Sequence, residues 1–188
     1  MRTHLRTAIL GGAAVAVVGA LTAVTFNASA AETTARPRPV ITSAAPSASA
    51  STAPVGINPP AGLRKIGTYK VVKGTQTYTC AAGSFAGASV PEAQLVGTGG
   101  WIHHFKGPSW QSARDSSLVT ATKVAEKPKT GTIAELLLQV NSHTGTGILS
   151  RAAYIQRLNT SGGAAPAGEC TDGSTTAVAY NATYVFWG

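Results

Sequence analysis

The sequence predicts an all-β fold: a single antiparallel sandwich or barrel-like domain with long loops, closed by one disulfide. Three observations carry this. Runs of β-branched and aromatic residues recur through the second two thirds of the chain. Gly- and Pro-rich breaks part them. Two cysteines, Cys80 and Cys170, lie far apart in that same region. Short strands at such spacing, with such turns, build sandwiches or barrels.

Before the domain come two segments of different character. Met1-Arg-Thr-His-Leu-Arg6 is basic, Ala8 to about Val24 is apolar, and Ala28-Ser-Ala30 is small. That order is the pattern of a cleavable secretory signal, expected over residues 1–30. Gly11, Gly12, Gly19 and several alanines make the run weakly apolar, whereas a spanning helix needs about 20 predominantly apolar residues. No basic stop-transfer cluster follows, so no membrane contact is expected after cleavage. With no Cys at the cleavage point and no Arg-Arg pair, the expected route is general secretion without lipidation. Residues 31–57 are rich in Ala, Ser, Thr and Pro and nearly free of large apolar side chains. Such a segment buries too little surface to offset the entropy of ordering, and a disordered linker is expected there. The domain is expected over 58–188, in a secreted, extracellular or envelope-associated setting.

Within the domain, Tyr69–Lys73 and Thr75–Cys80 flank Lys73-Gly74 and read as a hairpin. Gln94–Val96 and Trp101–Phe105 are two β-prone runs parted by Gly97-Thr-Gly-Gly100, and Gly107-Pro108 ends the second. Leu118–Val124 is a β-branched strand. Ile133–Val140 has helix-favouring residues but strand length between tight turn signals, so a strand is expected. Tyr154–Leu158 and Thr176–Trp187 complete the set. Two cysteines in an oxidising compartment are most simply one disulfide, the alternative being two buried thiols. A bond over so long a loop contributes on the order of 4 kcal/mol in the chain-entropy model.

The whole chain carries a formal charge of +8. Setting aside Arg2, Arg6, Arg36, Arg38 and Glu32 leaves 11 basic and 6 acidic residues in the domain, a net +5. That balance favours acidic polymers such as anionic wall or extracellular glycans. The basic residues are scattered and do not interleave with aromatics in a nucleic-acid motif, so nucleic acid is not an expected partner.

Standard catalytic signatures are missing. Gly83-Ser-Phe-Ala-Gly87 lacks the spacing of a nucleophile elbow. No His-Glu-x-x-His and no phosphate-binding Gly-x-x-x-x-Gly-Lys occurs. Gly97-Thr-Gly-Gly100 lacks the remaining glycine and the helix of a dinucleotide fingerprint. No cofactor is expected. His103 and His104 are adjacent, and neighbours on a strand face opposite sides, so they do not chelate one ion together. No metal site is expected.

Several segments together resemble a known family. They are Asn58-Pro-Pro-Ala-Gly62, Gln76-Thr-Tyr-Thr-Cys80, Pro91-Glu-Ala93, His104-Phe-Lys-Gly-Pro-Ser-Trp110, Ser142-His143, Tyr154-Ile-Gln-Arg157, Thr160-Ser-Gly-Gly163, Pro166, Cys170 and the strand from Tyr180 to Trp187. The domain resembles domain-of-unknown-function family 3455. The resemblance implies a small secreted β domain and no particular reaction.

The candidate ligand-binding residues are His104, Trp110, His143, Tyr154, Gln156 and Arg157. Trp110 and Tyr154 offer flat apolar rings, and the histidines, Gln156 and Arg157 offer hydrogen bonds, the mixture ligand sites use. On a strand, Tyr154, Gln156 and Leu158 share one face, and Ile155 and Arg157 the other. The competing account is that the rings are core residues and that His104 caps a turn. The expected function is a non-catalytic envelope or extracellular module that binds a glycan or another acidic polymer. The alternatives are a small enzyme using His104 or His143 as acid or base, and a structural or stress-related surface protein.

Overall fold

The structure is a computed structural model and describes residues 56–188. The expected signal peptide, and all but the last two residues of the expected linker, lie outside the described residues.

Eight antiparallel strands follow one another in chain order: β1 Lys65–Thr79, β2 Val90–Gly97, β3 Gly100–Phe105, β4 Ser109–Ser112, β5 Leu118–Lys127, β6 Glu135–Thr144, β7 Tyr154–Gly162 and β8 Thr175–Trp187. Each pairs with the next, and β8 pairs back onto β1 to close a barrel. The all-β expectation therefore resolves to a closed up-and-down barrel, an arrangement that leaves no free sheet edge. The run Ile133–Val140 is strand, as its flanking turns suggested.

The expected hairpin at Lys73-Gly74 does not form. Tyr69 to Thr79 is one continuous strand with a bulge, where Val71 pairs Leu95 and Lys73 pairs Gln94. Val72 is the extra residue and is exposed. Gly74 is there for packing and not for a turn. A Cβ on it would lie 2.8 Å from Val71 and 2.9 Å from Tyr180. Strand β4 was not anticipated; its four residues, Ser109 to Ser112, are too few to show an alternation.

One residue in two along each strand faces the barrel interior. Tyr69, Leu95, Ile102, Trp110, Val119, Leu138, Ile155, Tyr184 and Phe186 supply the core from all eight strands. Tyr69 meets Phe186 edge-on at 5.4 Å between ring centroids. One end of the barrel is sealed by the β6–β7 connection, whose Leu149 and Ala152 are buried. Asp115, in the β4–β5 turn, fixes that plug. Its carboxylate accepts hydrogen bonds from the Ile148 N–H at 3.0 Å and from the Ser117 hydroxyl at 2.6 Å.

At the other end, the loops after β1 and after β7 are joined by the Cys80–Cys170 disulfide, with Cα atoms 6.1 Å apart. The segment before β1 lies against the outside of β7, where Gln156 Nε2 donates to the Ile57 carbonyl at 2.6 Å.

Candidate functional site

Eight strands enclose an interior just wide enough for side chains to fill, or for one small ligand. This barrel is filled in one half and open in the other. The half toward Leu149 is filled by core side chains, and the half toward the disulfide holds a cavity of about 320 Å³.

The floor of the cavity is aromatic. His104 on β3 and Trp110 on β4 are directly paired across the sheet, so their side chains share the inward face. Their rings stack at 4.3 Å with 4° between planes. Tyr184 from β8 meets the His104 ring edge-on at 5.2 Å. Leu136 and Leu138 of β6 give the wall an apolar side, and Gln76 of β1 and Arg157 of β7 give it polar groups. Lys123 and Glu126 also line the cavity, joined by a 2.5 Å ion pair between two exposed side chains.

His104 has a fixed protonation. Its Nδ1 lies 2.8 Å from the Ser109 carbonyl oxygen. A carbonyl only accepts, so Nδ1 carries the proton and Nε2 the lone pair. Burial drives the imidazole down to about 4, with the Arg157 charge adding to the effect and the Ser109 hydrogen bond opposing it. The ring is therefore neutral at ordinary pH. Burial likewise raises Tyr180 and Tyr184, whose hydroxyls are 3.2 Å apart.

Arg157 points inward from β7. Its Nε and Nη2 both donate to the Ala134 carbonyl, at 3.1 and 2.9 Å. Among the described residues no carboxylate lies within ion-pair distance of it. Two buried donors at the cavity wall also have no partner: Gln76 Nε2 and Trp110 Nε1. The Gln76 carbonyl is already used, accepting from the Ser89 hydroxyl at 2.6 Å.

Of the residues singled out from the sequence, His104, Trp110 and Arg157 line this one cavity, and His143, Tyr154 and Gln156 do not. The β7 alternation holds: Ile155 belongs to the core, Arg157 to the cavity, and Gln156 to the outer face. Gln156 Oε1 also accepts from the Trp187 indole at 2.8 Å. Tyr154, half-buried, pairs with Trp187 across β7 and β8. His143 sits three strand steps from His104, along the row His104, Trp110, Val119, His143. Steps of ~4.8 Å put the two backbones on the order of 14 Å apart along the sheet. Its Nε2 donates to the Ala152 carbonyl at 2.8 Å, at the sealed end. His103 faces outward and bonds Glu92 at 2.6 Å. Among the described residues no group of three potential metal ligands comes together.

Gln76 and Tyr184 complete the site and were not singled out beforehand. For Tyr184 the signal was present in the even-numbered run Tyr180, Ala182, Tyr184, Phe186, all buried. For Gln76 it was obscured, because the bulge at Val72 reverses which residues of β1 face inward.

No curated protein matches the chain, and no solved structure does. A family model described as "Protein of unknown function (DUF3455)" matches residues 24–188. With the match running from before the barrel to the last residue, the chain belongs to the DUF3455 family.

Proposed function

We propose that this protein is a non-catalytic binding module that holds one small molecule inside its barrel. The observation that carries the reading is the half-empty interior. A barrel of this size can be filled entirely by side chains, yet about 320 Å³ remains open above the His104–Trp110 stack. Its lining is mostly apolar with a few convergent polar groups, the usual make-up of a small-molecule site, and its volume is at the lower end of the usual range. The exported setting is part of the same proposal. The N-terminal sequence pattern supports it, as does the disulfide, which suits an oxidising compartment.

Acid–base catalysis has less support. His104 is neutral and buried, His143 is engaged with a backbone carbonyl at the sealed end, and Glu126, the one acidic residue among the described residues that line the cavity, is tied to Lys123. A purely structural role has no use for the cavity. The exposed Lys65, Lys70 and Lys73 of β1 favour a second contact, between the outer face and an anionic glycan or other acidic polymer.

Ligand-observed NMR with a panel of fragment-sized apolar molecules tests the reading. A subset should bind, and Ala134→Phe, which adds bulk to the cavity wall, should abolish that binding. Binding that survives A134F, or no binding by any fragment, would contradict it.

A further inference from the structure

We propose that the guest is a compact organic monocarboxylate, its carboxylate directed at Arg157 and its apolar body against Leu136, Leu138 and Trp110. This rests on the reading of the barrel as a small-molecule container and specifies the chemistry of what it contains.

The first observation is the charge on Arg157. The guanidinium sits at the wall of a largely apolar cavity with a carbonyl as its acceptor and, among the described residues, no carboxylate in ion-pair range. Arg157 is half-buried; a charge drawn partly out of water is best held by a partner, and an anion supplied from outside the chain provides one. Nε and Nη2 donate to the Ala134 carbonyl and the guanidinium also lies beside the Tyr184 hydroxyl, which fixes its plane and leaves the rest of its donor hydrogens for a guest.

The second observation is independent of charge. Gln76 is 2 % exposed and Trp110 1 % exposed, both line the same cavity, and each holds an N–H with no acceptor. A buried donor left unpaired is costly, so native structures rarely keep two in one cavity wall without reason. Arg157, Gln76 and Trp110 all offer hydrogen. On the acceptor side, His104 Nε2 keeps its lone pair, while Glu126 is drawn to Lys123 and the Tyr184 hydroxyl to Tyr180. A wall with this imbalance selects a guest rich in acceptors.

The number of charges follows from the same accounting. Lys123 and Glu126 at the wall offset each other, so one guanidinium balances one negative charge, and a dianion such as a phosphate monoester would bring a second charge out of water with no free partner. Much of the remaining lining is apolar, including Leu136, Leu138 and Ala134, and burying apolar surface there favours binding. A carboxylate on a short aliphatic or aromatic body satisfies both parts of the site.

Calorimetric titration of the intact domain with hexanoate and phenylacetate, against hexanamide and phenylacetamide, tests the assignment. Each pair shares its body and differs in charge. The carboxylates should bind at least tenfold more tightly, and Arg157→Met should erase the difference while leaving the amides unaffected. Equal binding by acids and amides, or a preference that persists in R157M, would overturn the carboxylate assignment and leave the container reading intact. Failure of all four to bind would overturn both. If R157M does not fold, the wild-type comparison decides by itself.

Discussion

Gln156 and Arg157 are chain neighbours with opposite duties. The strand's two-residue period sends one outward to hold the Ile57 carbonyl and the Trp187 indole, and the other inward to the cavity. His104 shows how such placement sets chemistry. Its pairing with Trp110 buries it, and burial lowers its proton affinity from 6.5 to about 4. Between those values the unfolded chain binds a proton that the folded chain does not, so acidification favours unfolding. The stabilisation is present in full above pH 6.5 and falls away as the pH drops toward 4. The gap corresponds to about 3 kcal/mol. Arg157 and the outward His103 are the charged or titratable neighbours that add to the depression. Asp115 acts in a separate window: the Ser117 hydroxyl and the Ile148 N–H hold its carboxyl at about 2, so its contribution is lost as pH falls below 3.8. Urea unfolding from about pH 7.5 to 4.5 should show wild-type stability falling with acid and a much flatter profile in His104→Gln. Parallel profiles would assign the loss to other groups.

At the scale of the element, close approach and bulges decide the outcome. Gly97, where β2 pairs β1, has no room for a side chain, because a Cβ would overlap the Thr68 carbonyl. Gly74 is confined by Val71 and Tyr180. Gly87, in the loop before β2, has nothing within 4 Å of where its Cβ would be and no positive φ. Gly97→Ala should cost about 1–3 kcal/mol or more, through overpacking. Gly87→Ala should be neutral or stabilise by a few tenths of a kcal/mol, through the unfolded chain. Chemical denaturation of the two variants side by side checks this, and equal effects would count against the strand-packing account. The same features explain what the sequence disclosed. β3, β5, β7 and β8 were legible because their β-branched and aromatic residues are bounded by turn residues. β1 was misread because Lys73-Gly74 has turn composition but packing geometry. β4 was missed because its four residues carry no period. The cavity was half legible: His104, Trp110 and Arg157 stood out as chemistry-bearing residues near turns. Gln76 did not, since one extra residue at Val72 shifts the phase of the rest of β1. His143 and Tyr154 were grouped with them on residue type, a signal that says nothing of position around a barrel.

At the scale of the molecule, closure is what makes a site. Only when β8 returns to β1 do Gln76, His104, Trp110, Arg157 and Tyr184, from five strands, face one space. The disulfide joins the loops after β1 and β7 on the side where that space lies, across a sequence separation of 90. Replacing both cysteines by serine should lower stability by about 2–5 kcal/mol, read from the urea midpoint with and without reductant. A loss confined to a few tenths of a kcal/mol would mean that strand pairing alone sets the barrel. The central claim is that the open half of the barrel receives a small molecule. The most direct measurement is a ¹H–¹⁵N correlation spectrum of isotope-labelled protein titrated with phenylacetate. The account predicts saturable shifts of the Trp110 indole, the Gln76 side-chain amide and Arg157 Nε, while the indole of Trp101, exposed on the outer face of β3, stays still. Shifts centred on Trp101 and its neighbours, with the Trp110, Gln76 and Arg157 signals unmoved, would contradict it.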